Sequence, residues 1–182
     1  MRTACLELFW YARVTMIPVH QSDPVMENHR GEFLLSTDPE RLDLDVIHPF
    51  LTESYWARGI PRDVVARSIQ NSLCFAVYTR GKQVGFARVI SDFATYAYIG
   101  DVFVLEAFRG RGLGTWMMEA IMQHPRLQEL RRWNLLTRDA HALYAQFGFT
   151  PLRTPERYME IHARDVYQSV RSTGVGTILP EK

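Results

Sequence analysis

Cysteine is scarce in this chain of 182 residues, with Cys5 and Cys74 the only two. No disulfide framework is expected, and a reducing, cytoplasmic compartment fits. Cys74 lies in the apolar run Leu73-Cys74-Phe75-Ala76-Val77, where a free thiol serves as a small buried hydrophobe. Metal-ligand spacing is missing as well: the six histidines show none and Cys-x-x-Cys is absent, so no metal is expected. Excess charge of one sign is lacking, with 21 basic against 20 acidic residues. That balance gives no general attraction to nucleic acid or to an anionic membrane. The densest basic cluster, Arg126 to Arg132, is broken by Leu127, Glu129 and Leu130. Long apolar runs are lacking too. Residues 5–19 contain Glu7 and Arg13, which makes the segment too short and too charged to span a bilayer. It also has no small-residue cleavage site of the kind a signal peptide needs.

What is present suits one domain with a full core. The first strand-like sequence, Glu32 to Thr37, begins just after Met26. The functional domain is therefore expected at residues 28–163. Residues 1–27 read as a loosely ordered extension and 164–182 as a tail. From Leu42 to Trp56 apolar residues fall at 42, 46, 47, 50 and 51, the spacing of one helical face, with Pro49 set to kink or split it. A second helix is expected at 62–71. Strands follow at 73–78, 84–90 and 96–105, joined by short turns and hence antiparallel. A helix opens at Leu113, a short strand covers 133–137, a short helix 140–146, and a last strand 158–162. The order gives a mixed α/β fold with a largely antiparallel sheet flanked by helices, rather than a doubly wound one.

The most informative stretch is Val102-Phe103-Val104-Leu105-Glu106-Ala107-Phe108-Arg109-Gly110-Arg111-Gly112-Leu113-Gly114-Thr115. An apolar strand runs into three glycines at alternate positions and then directly into an amphipathic helix. Glycines let backbone N–H groups approach an anion closely, and the first N–H groups of a helix have no internal partner. With the positive end of the helix dipole behind them they make a pyrophosphate cradle, to which Arg109 and Arg111 add charge. A Walker loop is excluded because no Gly-Lys-Ser/Thr follows at the required spacing. A Rossmann loop is excluded because too little chain remains for further alternating strands and helices. A tight strand-to-helix turn without a ligand is the alternative.

Arg109-x-x-Gly112-x-Gly114 resembles the defining loop of the GCN5-related N-acetyltransferase (GNAT) family at every defined position. Downstream, Leu136-Thr137 followed by Ala140-x-x-x-Tyr144-x-x-Phe147-Gly148-Phe149 is similar to the family's second signature. The resemblance covers about residues 30–162. It implies that acetyl-CoA enters a cleft where two parallel strands, around Val102–Leu105 and 135–137, splay apart. The pyrophosphate would lie on the N–H groups of Gly110, Arg111, Gly112, Leu113, Gly114 and Thr115. The pantetheine arm would pair with the backbone of Phe103, Val104 and Leu105.

By the same resemblance Tyr144 protonates the departing thiolate; a packing aromatic is the alternative. The acceptor amine must be neutral to attack, so a base is required. Asp101, on the strand before the loop, is the leading candidate, and a carboxylate merely fixed by Arg88 is equally open. Asp139, which reads as a helix N-cap, and His141 are weaker candidates. The acceptor pocket is expected at the loop carrying Tyr55, Trp56 and Arg58, where core packing would account for the two aromatics as well. The function implied is transfer of an acetyl group to a primary amine, the acceptor being a small molecule. A protein lysine or N-terminal acetyltransferase, or a catalytically silent acetyl-CoA sensor, are the other readings. Sheet edges and the strand at 158–162 offer surfaces for a homodimer.

Overall fold

The computed structural model describes residues 24–163 and 166–169. Most of the expected N-terminal extension and of the tail lies outside the described residues. Six strands form one sheet in the order of the chain: β1 (Glu27–Arg30), β2 (Phe33–Ser36), β3 (Leu73–Thr79), β4 (Lys82–Ser91), β5 (Tyr96–Val104) and β6 (Arg132–Leu135). Every neighbouring pair is antiparallel except β5 with β6, which is parallel. β1 is a strand not expected from the sequence; its four residues are all exposed, so it has no apolar alternation to reveal it.

The helices are α1 (Leu44–Glu53), α2 (Arg62–Gln70), α3 (Leu113–Gln123), α4 (His141–Ala145) and the short α5 (Val166–Ser169). Asp43 starts α1 by accepting the Asp45 N–H at 2.8 Å. α1 then runs through Pro49 without a split and stops at Ser54. α3 is the crossover that parallel pairing of β5 and β6 requires.

β3 is buried along its whole length because it is covered on both sides. Leu73, Phe75 and Val77 face one core with Met117 and Ile121 of α3. Cys74, Ala76 and Tyr78 face the other, with Ile47 and Leu51 of α1 and Val65 of α2. Each fully buried side chain of this size contributes about 1.5–3 kcal/mol. Tyr144 of α4 belongs to the first core, so α4 lies on the α3 side of the sheet. Among the described residues no helix is long and apolar enough to cross a membrane.

The last strand expected from the sequence, 158–162, does not form. Tyr158 is held beside the first residue of β6, where its hydroxyl accepts from Arg132 NH1 at 2.9 Å. An antiparallel strand starting there has no β6 residue left to pair with. Met159 and Ile161 consequently stand in solvent, 98% and 79% exposed.

Candidate active site

β5 and β6 pair only from Tyr96 with Arg132 to Ile99 with Leu135. Beyond that β6 ends, while β5 continues to Val104. The strands part at a β-bulge: Phe86 pairs with Phe103 and Arg88 with Gly100, leaving Ala87 opposite both Asp101 and Val102. A bulge bends its strand and re-aims the side chains on it. Asp101 takes φ +55° there, a left-handed conformation that aspartate tolerates better than most residues. The sheet thus opens between the two strands that the family resemblance implies should splay.

The expected phosphate loop lies at the far end of β5. Gly110 and Gly112 have φ +74° and +73°, and a side chain on either would meet nothing within 4 Å. Gly112 is the N-cap of α3, with no side-chain hydrogen bond closing that end. Its carbonyl accepts from Trp116 N at 3.0 Å. The N–H groups of Leu113, Gly114 and Thr115 find no acceptor among the described residues. Three free donors at the positive end of an eleven-residue helix, with open space in front, fit a pyrophosphate.

The two arginines of the loop turn elsewhere. Arg109 Nε donates to the Val104 carbonyl at 3.1 Å. Arg111 lies 3.5 Å from Glu32 Oε1 and its guanidinium covers the rings of Phe33 and Phe108. The backbone expected to meet a pantetheine arm is divided. Leu105 N–H is already given to Val84 at 2.8 Å, and Phe103 shares that orientation by strand alternation. Val104, between them, turns away from β4, its carbonyl taken by Arg109 and its N–H left to the open side.

Tyr144 is 8% exposed, and its ring meets Phe149 edge-on with centroids 6.1 Å apart. Burial pushes its hydroxyl up to about 12, helped by Tyr55, Tyr98 and Asp139 nearby. Tyr98 is raised too, chiefly by burial and then by Asp101, and the Leu136 amide lies beside its hydroxyl. Tyr144 sits on the α3 side of the sheet, whereas Tyr55 follows α1 on the other. Their proximity means that the splay runs through the sheet from one face to the other.

Asp101 is bound at both oxygens: Oδ2 accepts from Arg88 Nε at 2.5 Å, and Oδ1 accepts from Trp56 Nε1 at 3.0 Å. Tyr55 and Trp56 are 46% and 42% exposed and meet edge to face, 4.9 Å between centroids. Arg58 is exposed and makes no hydrogen bond or ion pair among the described residues. Asp139 does not cap α4. The cap position is Ala140, whose N–H is taken by Thr137 Oγ1 at 3.0 Å, while Asp139 sits exposed beside Arg138. His141 is exposed on a groove of about 710 Å³ along the free edge of β6, which Tyr144 and Asn134 also line.

Two residues that the sequence reading did not single out join the site, Tyr98 and Arg138. Tyr98 alternates with Tyr96 along β5, the one signal that could have raised it. Nothing local marks Arg138. No cluster of metal-binding side chains occurs among the described residues.

Comparison with known proteins agrees with this geometry. Residues 70–151 match the acetyltransferase (GNAT) domain family. A protein of Gibberella zeae assigned as an acetyltransferase is 33% identical over 141 residues, 64% of this chain and 78% of that one. The crystal structure of an assigned GNAT-family acetyltransferase from Xanthomonas campestris superposes with TM-score 0.73 and 51% identity, over 74% of this chain and 96% of that one. At 12% identity and TM-score 0.50, a Clostridium acetobutylicum protein solved with acetyl-CoA shares the fold alone, over 75% of this chain and 96% of that one.

Proposed function

Since this chain belongs to the GNAT family and is an acetyltransferase by that family and its relatives, we propose that it transfers the acetyl group of acetyl-CoA to a primary amine of a small molecule. The observation that carries the reading is the splay of β5 from β6, with the free N–H groups of α3 at one end and Tyr144 near Tyr98 of β5 and Tyr55. Acetyl-CoA supplies an acyl group already activated as a thioester.

The chain's own residues divide the rest of the work. Leu113, Gly114 and Thr115 bind the pyrophosphate, and the Val104 N–H, on the side of β5 away from β4, aligns the arm. Tyr144 keeps its proton at neutral pH because burial disfavours the phenolate. Full transfer from a group near 12 to a thiolate whose conjugate acid lies near 8.5 is uphill by about 5 kcal/mol. Tyr144 therefore acts by donating a hydrogen bond to the sulfur as charge develops on it and keeps its own proton, and coenzyme A departs as the thiolate, to be protonated from solvent. Both oxygens of Asp101 are engaged, one by Arg88 and one by Trp56, and it takes no proton-transfer role in this reading. The ammonium then loses its proton to solvent at the exposed Tyr55–Trp56 end.

The test is calorimetric titration of acetyl-CoA into the protein, followed by thiol release with a panel of primary amines. Saturable binding with amine-dependent release supports the proposal. Binding with no release for any amine of the panel overturns the small-molecule acceptor and leaves a sensor or a protein acetyltransferase, and no binding removes the reading.

A further inference from the structure

Consecutive residues after α1 are tied to opposite sides of the splay. Trp56 Nε1 donates to Asp101 Oδ1 on β5 at 3.0 Å. The Tyr55 hydroxyl accepts from Arg138 N, beyond the end of β6, at 3.1 Å, and the Arg138 guanidinium lies over the Tyr55 ring, 3.9 Å from its centroid. A chain segment bonded to β5 on one side and to the loop that leaves β6 on the other bridges the gap between them.

The foot of that bridge is rigid on both sides. Ser54 Oγ donates to the Leu51 carbonyl at 2.7 Å and accepts the Ala57 N–H at 3.2 Å. Gly59 N–H returns to Thr52 at 2.9 Å. The β5 anchor is braced in turn: Arg88, which holds the other oxygen of Asp101, reaches Ser72 Oγ at 3.2 Å, and Ser72 is bonded to Ser68 of α2. The two rings are nevertheless nearly half exposed. Their hydrogen bonds, rather than burial, set where they stand.

We infer that Tyr55 and Trp56 form a strap across the acceptor end of the splay, latched by Asp101 and Arg138, and that Asp101 is a positioning residue for Trp56. This assignment rests on the acetyltransferase reading for its role in acceptor binding. The strap presents a fixed aromatic wall to the incoming amine. A bond from an indole N–H to a carboxylate is charge-assisted, and a carboxylate braced by a guanidinium cannot swing away from it. The donor matters as well as the ring. Phenylalanine at position 56 would keep the apolar surface and lose the latch.

The experiment compares wild type, Trp56→Phe, Asp101→Ala and the double variant by amide hydrogen exchange over residues 54–60. It adds acetyl-CoA titration and turnover with a panel of primary alkyl and arylalkyl amines. Trp56→Phe is expected to speed exchange at Ala57 and Gly59 by about tenfold, the loss of one charge-assisted hydrogen bond. It should leave the acetyl-CoA Kd within about twofold and raise the amine KM by about five- to tenfold with kcat little changed. In the Asp101→Ala background, Trp56→Phe should add nothing further to exchange, since the two act through one bond. Unchanged exchange in Trp56→Phe, or full additivity in the double variant, overturns the latch. A kcat drop of about a hundredfold in Asp101→Ala alone, with loss of a limb of the pH–rate profile, returns Asp101 to the role of base and also overturns it. Should wild type fail to bind acetyl-CoA, the proposed function falls, while the exchange comparison still decides whether the strap is latched.

Discussion

Phe103 of β5 stacks on Phe50 of α1, ring centroids 3.9 Å apart and planes within 11°. Phe103 is two residues beyond Asp101, and Phe50 is five before Tyr55, so one stacked pair couples the splayed strand to the helix that carries the strap. Trp56 is the next ring outward from Phe50, at 6.3 Å. Phe50→Ala should cost about 2–4 kcal/mol of stability, as for other truncated aromatics in partly buried sites. Urea unfolding checks this, and a loss below about 1 kcal/mol would show that the stack couples little.

Tyr144→Phe keeps the ring that packs against Phe149 and removes the donor. Turnover should fall by about a hundredfold while acetyl-CoA affinity stays within about twofold. Steady-state kinetics alongside calorimetry separates the two effects. An unchanged kcat would place the hydrogen bond to the departing sulfur elsewhere.

Gly112→Asp puts a carboxylate in front of the free N–H groups of α3, where a side chain meets no protein atom within 4 Å. Acetyl-CoA affinity should fall by roughly tenfold or more, since negative charge there competes for the same dipole and donors. Gly112→Asn is the control: asparagine tolerates the left-handed backbone and brings no charge. Titration of both variants should show loss in the aspartate form alone. Equal loss would point to the backbone instead.

Alkaline pH should weaken the fold. Burial raises Cys74 and Tyr144 each to about 12, above their ordinary values near 9.0 and 10.0, and raises Tyr78 as well. The folded protein therefore holds protons that the unfolded chain releases. Their contribution is fully present below about pH 9 and is lost as pH rises toward 12. Unfolding free energy should drop by roughly 1–2 kcal/mol between about pH 8 and about pH 10. A stability that rises over this range would contradict the assignment.

Cys74 should resist thiol reagents in the native state, because burial keeps it protonated and covered. In a Cys5→Ser background, reaction with Ellman's reagent should be slow until urea unfolds the chain. Rapid labelling of the native protein would show that the β3–α2 face opens readily.

The parts of this protein legible in the sequence are those that close within a few residues. The burial of β3 follows from an uninterrupted apolar run, and the helix starting at Leu113 from the glycines that precede it. Such features need only local sterics and hydrogen bonding, so composition and spacing determine them. The strand expected at 158–162 failed because its alternation says nothing about available edge, and the edge of β6 is only four residues long.

Residues 102–115 determined by themselves that a strand would run into a helix start opened by glycines, since each neighbour there sets the conformation of the next. Tertiary structure alone decided what stands at the open end of the splay. The bulge at Asp101 exists only against β4. The bonds that hold the strap join residues 45 positions apart, Trp56 and Asp101, and 83 apart, Tyr55 and Arg138. Pairs so distant meet only when the sheet and both helical layers have already closed, so no local pattern could announce them.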